Sequence, residues 1–167
     1  MDRCSISGLG LSTQYKVECY RDGAIAWMVD VPNLVVNTGL KYVMDRSFGE
    51  EEALEWWIGL CLNANSSPTD TMEDHQFIEF LGTTNIYRSG ATFEDGGEVE
   101  GNKYTYVAEN VQQMITENAS ITGVFMTSET RKGVDEGILY GVASFPEPKT
   151  VVPQDALVIS VTVSAKG

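Results

Sequence analysis

The last third of the chain restricts its architecture more than any other stretch. Four apolar segments, 104–115, 120–127, 137–145 and 156–164, are separated by turn signals at the spacing of antiparallel sheets. In the final segment Leu157, Ile159, Val161 and Val163 alternate with Val158, Ser160, Thr162 and Ser164, the period-two pattern of a strand with one buried and one solvated face. Thr130-Arg131-Lys132-Gly133 reads as a polar turn, and Pro146, Pro148 and Pro153 are expected to keep the loop before the last segment from pairing.

The first half follows the same rule with one interruption. Tyr15, Val17 and Cys19 alternate with Lys16, Glu18 and Tyr20, Arg21-Asp22-Gly23 supplies turn chemistry, and Ile25, Trp27, Val29 and Val31 alternate again, which predicts a hairpin. Beyond Pro32-Asn33, Asn37 or Thr38 is placed to cap a short helix with Leu40, Val43, Met44 and Phe48 as its apolar face, ending by Gly49. Trp56, Ile58, Leu60 and Leu62 fall on one face of a further strand, Trp57 and Cys61 on the other. Residues 63–70 read as a polar loop, and Met72, Phe77, Ile78, Phe80 and Leu81 as either a helical turn or irregular packing. A short strand is expected over 85–88, and an acidic, glycine-rich loop over 93–102.

These elements predict a mainly β fold, an antiparallel β-sandwich of jelly-roll-like type with one short helix. Residues 1–13 lack a sustained period and read as a flexible N-terminal arm able to dock on a partner; 14–167 read as a single sandwich domain. Hydrophobic residues make up 43% of the chain, enough for a packed core.

Charge narrows the partners. Eleven Lys and Arg against 24 Asp and Glu give a formal charge of -13, a field that repels phosphate backbones and anionic lipid heads, so neither direct nucleic-acid nor membrane binding is expected. No apolar run has the roughly 18 residues of a membrane span, and no export signal is read at the start. Cys4, Cys19 and Cys61 form an odd set without a Cys-x-x-Cys pair, which suggests a reducing compartment and no zinc knuckle.

Catalytic and cofactor signatures are weak. His75 is the single histidine, and a mononuclear metal site built on Asp70, Asp74 and His75 would lack the second imidazole of helical zinc motifs. Loop 95–102 offers carboxylates for Ca²⁺ but not in the order of an EF-hand. Gly-x-Ser-x-Gly and Gly-Lys-Ser/Thr do not occur, so no catalytic residue, metal or cofactor is assigned and a non-enzymatic role is expected. Trp57, Tyr104 and Tyr106 belong either to the core or to a second sheet face that anchors a partner, and they are the candidate partner-interface residues.

The order of segments resembles a group of small structural proteins of tailed bacteriophages. The features that carry it are the hairpin leading into Pro32-Asn33-Leu34-Val35-Val36-Asn37-Thr38-Gly39-Leu40, Trp57-Ile58-Gly59-Leu60 before Ser67-Pro68-Thr69-Asp70, Ala119 to Phe125, Gly137 to Phe145, and the closing strand, from about Ile25 onward. The resemblance implies a virion component, a head decoration or cement protein on the capsid surface, present in the host cytoplasm during assembly. Its implied partners are the major capsid protein and further copies of itself, a homotrimer being favoured by analogy. Two other readings stay open: a tail-associated adhesin or carbohydrate-binding module, and a glycosidase using two carboxylates.

Overall fold

The computed structural model describes residues 10–49 and 52–167. Its strands are β1 (Gly10–Arg21), β2 (Ala24–Pro32), β3 (Leu34–Val35), β4 (Trp56–Asn63), β5 (Ile78–Phe80), β6 (Ser89–Ala91), β7 (Glu94–Val99), β8 (Lys103–Met114), β9 (Ala119–Thr127), β10 (Leu139–Val151) and β11 (Ala156–Lys166). The helix α1 (Asn37–Phe48) follows β3. One sheet has the order β2-β1-β11-β8-β7, the other β3-β10-β9-β4-β5, with β6 beside the first half of β4. All pairings are antiparallel. The predicted sandwich is therefore the observed fold.

Alternation explains the core. Tyr15, Val17 and Cys19 of β1 oppose Val161, Ile159 and Leu157 of β11, and all six are fully buried between the sheets. Ile58, Leu60, Val124, Met126 and Ala143 meet them from the second sheet. The β1–β2 hairpin turns through Asp22 and Gly23 at φ 51° and 80°, the left-handed pair that matches strand twist. A register shift between Cys19 and Tyr20 then leaves Ile25 outside.

The second sheet is buried on both sides. Cys61, Phe125, Leu139 and Val142 on its outer face pack with Val36, Ala64, Met72 and Phe77. The segment around Met72 is thus irregular packing and not a helical turn. Its Ser67–Asp70 turn is closed by the Asp70 carboxylate, which accepts from the Ser67 amide at 3.1 Å and hydroxyl at 3.0 Å, while the Pro68 carbonyl receives the Asn37 amide at the start of α1.

Several local expectations are corrected. Strand β1 begins at Gly10, so 10–13 are strand; the rest of the proposed 1–13 arm lies outside the described residues. The acidic segment after Phe93 is mostly edge strand β7, with the turn confined to 100–102. Strand β10 continues through Pro146 and Pro148, which fall inside the register shift between Ser144 and Lys149 where no ladder amide is needed. The short strand expected over 85–88 lies at 89–91 as β6, with Tyr87 making an isolated bridge to Arg131.

Helix α1 is present but rotated. Gly39 and Tyr42 are its buried residues and Val43 is half-buried, whereas Leu40, Met44 and Phe48 are exposed, Phe48 by 79%. A Cβ on Gly39 would lie 2.3 Å from the Tyr140 carbonyl oxygen, so the missing side chain lets the helix touch β10. Val36 takes the N-cap position without a side-chain cap, and the Thr38 hydroxyl donates instead to the Leu139 carbonyl at 2.7 Å. No described helix is long and apolar enough to cross a membrane.

Candidate binding site

The two sheets close at one end and part at the other. Tyr106 pairs with Val163 and Tyr104 with Ala165, so both tyrosines share the inner face of their sheet with Val161 and Ala108. Deep in the sandwich that face is sealed; farther along, Tyr104 and Tyr106 are 42% and 48% exposed, where the second sheet does not cover them. The gap is a cleft of about 960 Å³, at the upper end of the about 300–1,000 Å³ usual for small-molecule sites.

Trp57, Tyr104 and Tyr106, picked out from the sequence as partner-interface candidates, all line this cleft. The alternatives of core or outer face do not describe the tyrosines, which lie on the core face where the core opens. Trp57 pairs with Gly90, and a Cβ there would come within 3.3 Å of the indole, so the glycine gives the ring a flat bed. Tyr104 and Tyr106 rings are 6.1 Å apart and tilted by 46°.

Sequence reasoning missed the opposite wall. Trp56 stands edge-on between Tyr42 and Tyr140, at 5.2 Å and 5.5 Å between ring centroids. The Tyr140 hydroxyl is 3.0 Å from that of Thr13, and burial pushes its pKa up, which keeps it protonated. The Tyr42 hydroxyl donates to the Glu52 carbonyl at 3.1 Å and accepts the Leu54 amide at 2.9 Å, which ties the approach to β4 onto the helix. Gly39, recurring with Tyr42, Val43 and Arg46 at helical spacing, was the available signal for this face, but a hydrophobicity reading gives glycine no weight.

Polar groups sit at the mouth. Asp95 accepts the Tyr104 hydroxyl at 2.7 Å on each carboxylate oxygen, and this hydrogen bond raises the phenol above its ordinary range, fixing it as a neutral donor to Asp95. Arg46 and Glu55 line the cleft and form no ion pair among the described residues. Glu55 is the one carboxylate among the described lining residues.

The other candidate groups are engaged elsewhere. His75 stacks on Phe77 at 3.8 Å, with Nδ1 2.9 Å from the Phe77 carbonyl and Nε2 3.2 Å from Asp135. Asp70 closes its own turn, and the Asp74 amide donates to the Thr71 hydroxyl, so the Asp70, Asp74 and His75 set does not converge. No three His, Cys, Asp or Glu side chains gather around a common point among the described residues. Cys19 and Cys61 are buried free thiols, and burial foremost pushes Cys19 up to about 12 and Cys61 well above its usual value. No family model matches the chain, and neither the curated proteins nor the solved structures yield a match.

Proposed function

We propose that this chain is a non-enzymatic virion protein of a tailed bacteriophage that binds the outer head lattice and stabilises it against internal DNA pressure. The observation that carries the reading is the exposed apolar row Leu40, Met44 and Phe48 along α1, which none of the described residues covers and which suits burial against another protein surface. The resemblance of the segment order adds to it. A formal charge of -13 keeps copies apart before assembly, and β2 and β7, the end strands of their sheet among the described residues, offer main-chain groups to a lattice subunit. The partners proposed are the major capsid protein and further copies of the chain, as a trimer.

The test is addition of purified protein to expanded heads lacking it. Binding that survives high salt and raises the head melting temperature is the expected result, with Phe48→Ser weakening it. No affinity for any head particle would overturn the proposal. A tail-associated adhesin is the second reading, favoured by the aromatic cleft; cryo-electron microscopy of the virus separates the two by where density of this shape repeats.

A further inference from the structure

We infer that the cleft between the parted sheets is a binding site for a neutral oligosaccharide, wherever the domain sits on a particle. Three properties of the cleft select that chemistry. Its walls are aromatic, and at the mouth Tyr104 and Tyr106 stay 42% and 48% exposed beside a half-buried Trp57. Exposed rings on a rigid frame are an unfavourable use of apolar surface unless something flat and weakly apolar covers them, as the C–H faces of a pyranose do.

The polar groups exclude a purely aliphatic guest. A lipid chain would cover the exposed Arg46, Glu55 and Tyr106 side chains and return no hydrogen bonds to their polar groups. Sugar hydroxyls are donors and acceptors at once and can satisfy the guanidinium, the carboxylate and the phenol together. Because the Tyr104 hydroxyl donates its hydrogen bond to Asp95, its oxygen is left to accept from a ligand hydroxyl.

Charge excludes an acidic guest. Glu55 and Asp95 flank the aromatic rings, Arg46 is the lone cation among the described lining residues, and the whole chain carries -13. An anionic glycan or phosphate would enter against that field. The site is also held ready: the Tyr42–Trp56–Tyr140 row is locked by edge contacts and by hydroxyl bonds at both ends, so little ordering cost remains at binding.

The experiment titrates the full chain with maltotetraose, cellotetraose, chitotetraose and mannotetraose, following tryptophan fluorescence and backbone amide NMR shifts. At least one is expected to bind and to shift amides of 55–57, 90–93 and 104–106 together. Trp57→Ala and Tyr106→Ala, each checked for native melting, should weaken binding by about tenfold, and Ile78→Ala, on an exposed position of β5, should not. Three results would each overturn the inference: no tetrasaccharide binds, binding survives both aromatic variants, or laurate or a proline-rich peptide occupies the cleft while every sugar fails. Head binding is read separately, so failure here leaves the decoration proposal intact, and failure there leaves this one intact.

Discussion

The Tyr42 ring meets Trp56 edge-on at 5.2 Å and 80°, and this contact joins the helix to the first residue of β4. The same tyrosine closes the polar side of the joint by bonding both the Glu52 carbonyl and the Leu54 amide. Helix, linker and strand are thereby fixed as one wall of the cleft.

Removing only the oxygen tests that joint. Tyr42→Phe keeps the ring contact but leaves the Glu52 carbonyl and Leu54 amide to water, and should lower stability by about 1 kcal/mol. Amide exchange at Leu54 should accelerate while exchange in β11 changes only by the global loss. Unchanged exchange at Leu54 would show that the linker is held by other contacts.

A second polar lock lies on the far side of the second sheet. Arg88, 2% exposed, forms a two-pronged pair with Glu79 at 2.9 Å and 2.8 Å, bonds the carbonyls of Glu129 and Val134, and lies over the Phe125 ring at 5.1 Å. Arg88→Met strands the Glu79 charge and should cost about 3–5 kcal/mol in urea unfolding. The double change Arg88→Met with Glu79→Leu should cost less than Arg88→Met, because no buried charge is left unpaired. A larger loss in the double variant would refute that account.

Tyr15 presents the opposite case. Its ring is fully buried between the sheets, but its hydroxyl has no hydrogen-bond partner among the described residues, and burial raises its pKa so that it stays neutral. Tyr15→Phe deletes the unsatisfied oxygen and should leave stability unchanged or raise it by about 1 kcal/mol. A clear drop in melting temperature would mean that the hydroxyl is solvated by internal water.

Acid should weaken the fold through two carboxylates. Hydrogen bonding from Arg131 lowers Glu129 to about 2, and Arg21, bound to Asp155 at 2.8 Å and 2.7 Å, lowers that carboxyl below its ordinary value. Both bind protons more readily unfolded than folded. Their contribution is therefore complete above the usual carboxylate range, about pH 4–5, and is lost as pH falls toward the folded values. Melting temperature should decline over that interval, and less steeply in Arg131→Ala; an identical slope would exclude the Glu129 share.

The sandwich was legible because period-two alternation is a direct print of burial. Leu157, Ile159 and Val161 face inward as their spacing says. The same alternation runs on without change through Val163 and Ala165, which line the open cleft, so the place where the sheets separate leaves no mark in either strand. That depends on how far the other sheet reaches, a relation between distant segments. Local pattern was equally blind at α1: Leu40, Met44 and Phe48 form a regular apolar row, but the close approach available at Gly39 decides which side meets β10. At β7 composition misled, since glycine and carboxylates suit a loop, yet an edge strand needs side-chain burial on neither face.

The parting of the sheets divides labour within single strands. In β8 the stretch around Ala108 and Val111 belongs to the sealed interior, and Tyr104 and Tyr106, a few residues earlier, belong to the mouth. β11 is divided in the same way. Rim positions can consequently be exchanged for others without reopening the packed half, much as a tool handle accepts different heads. A chain built on this plan can acquire a new target by substitutions that folding hardly registers.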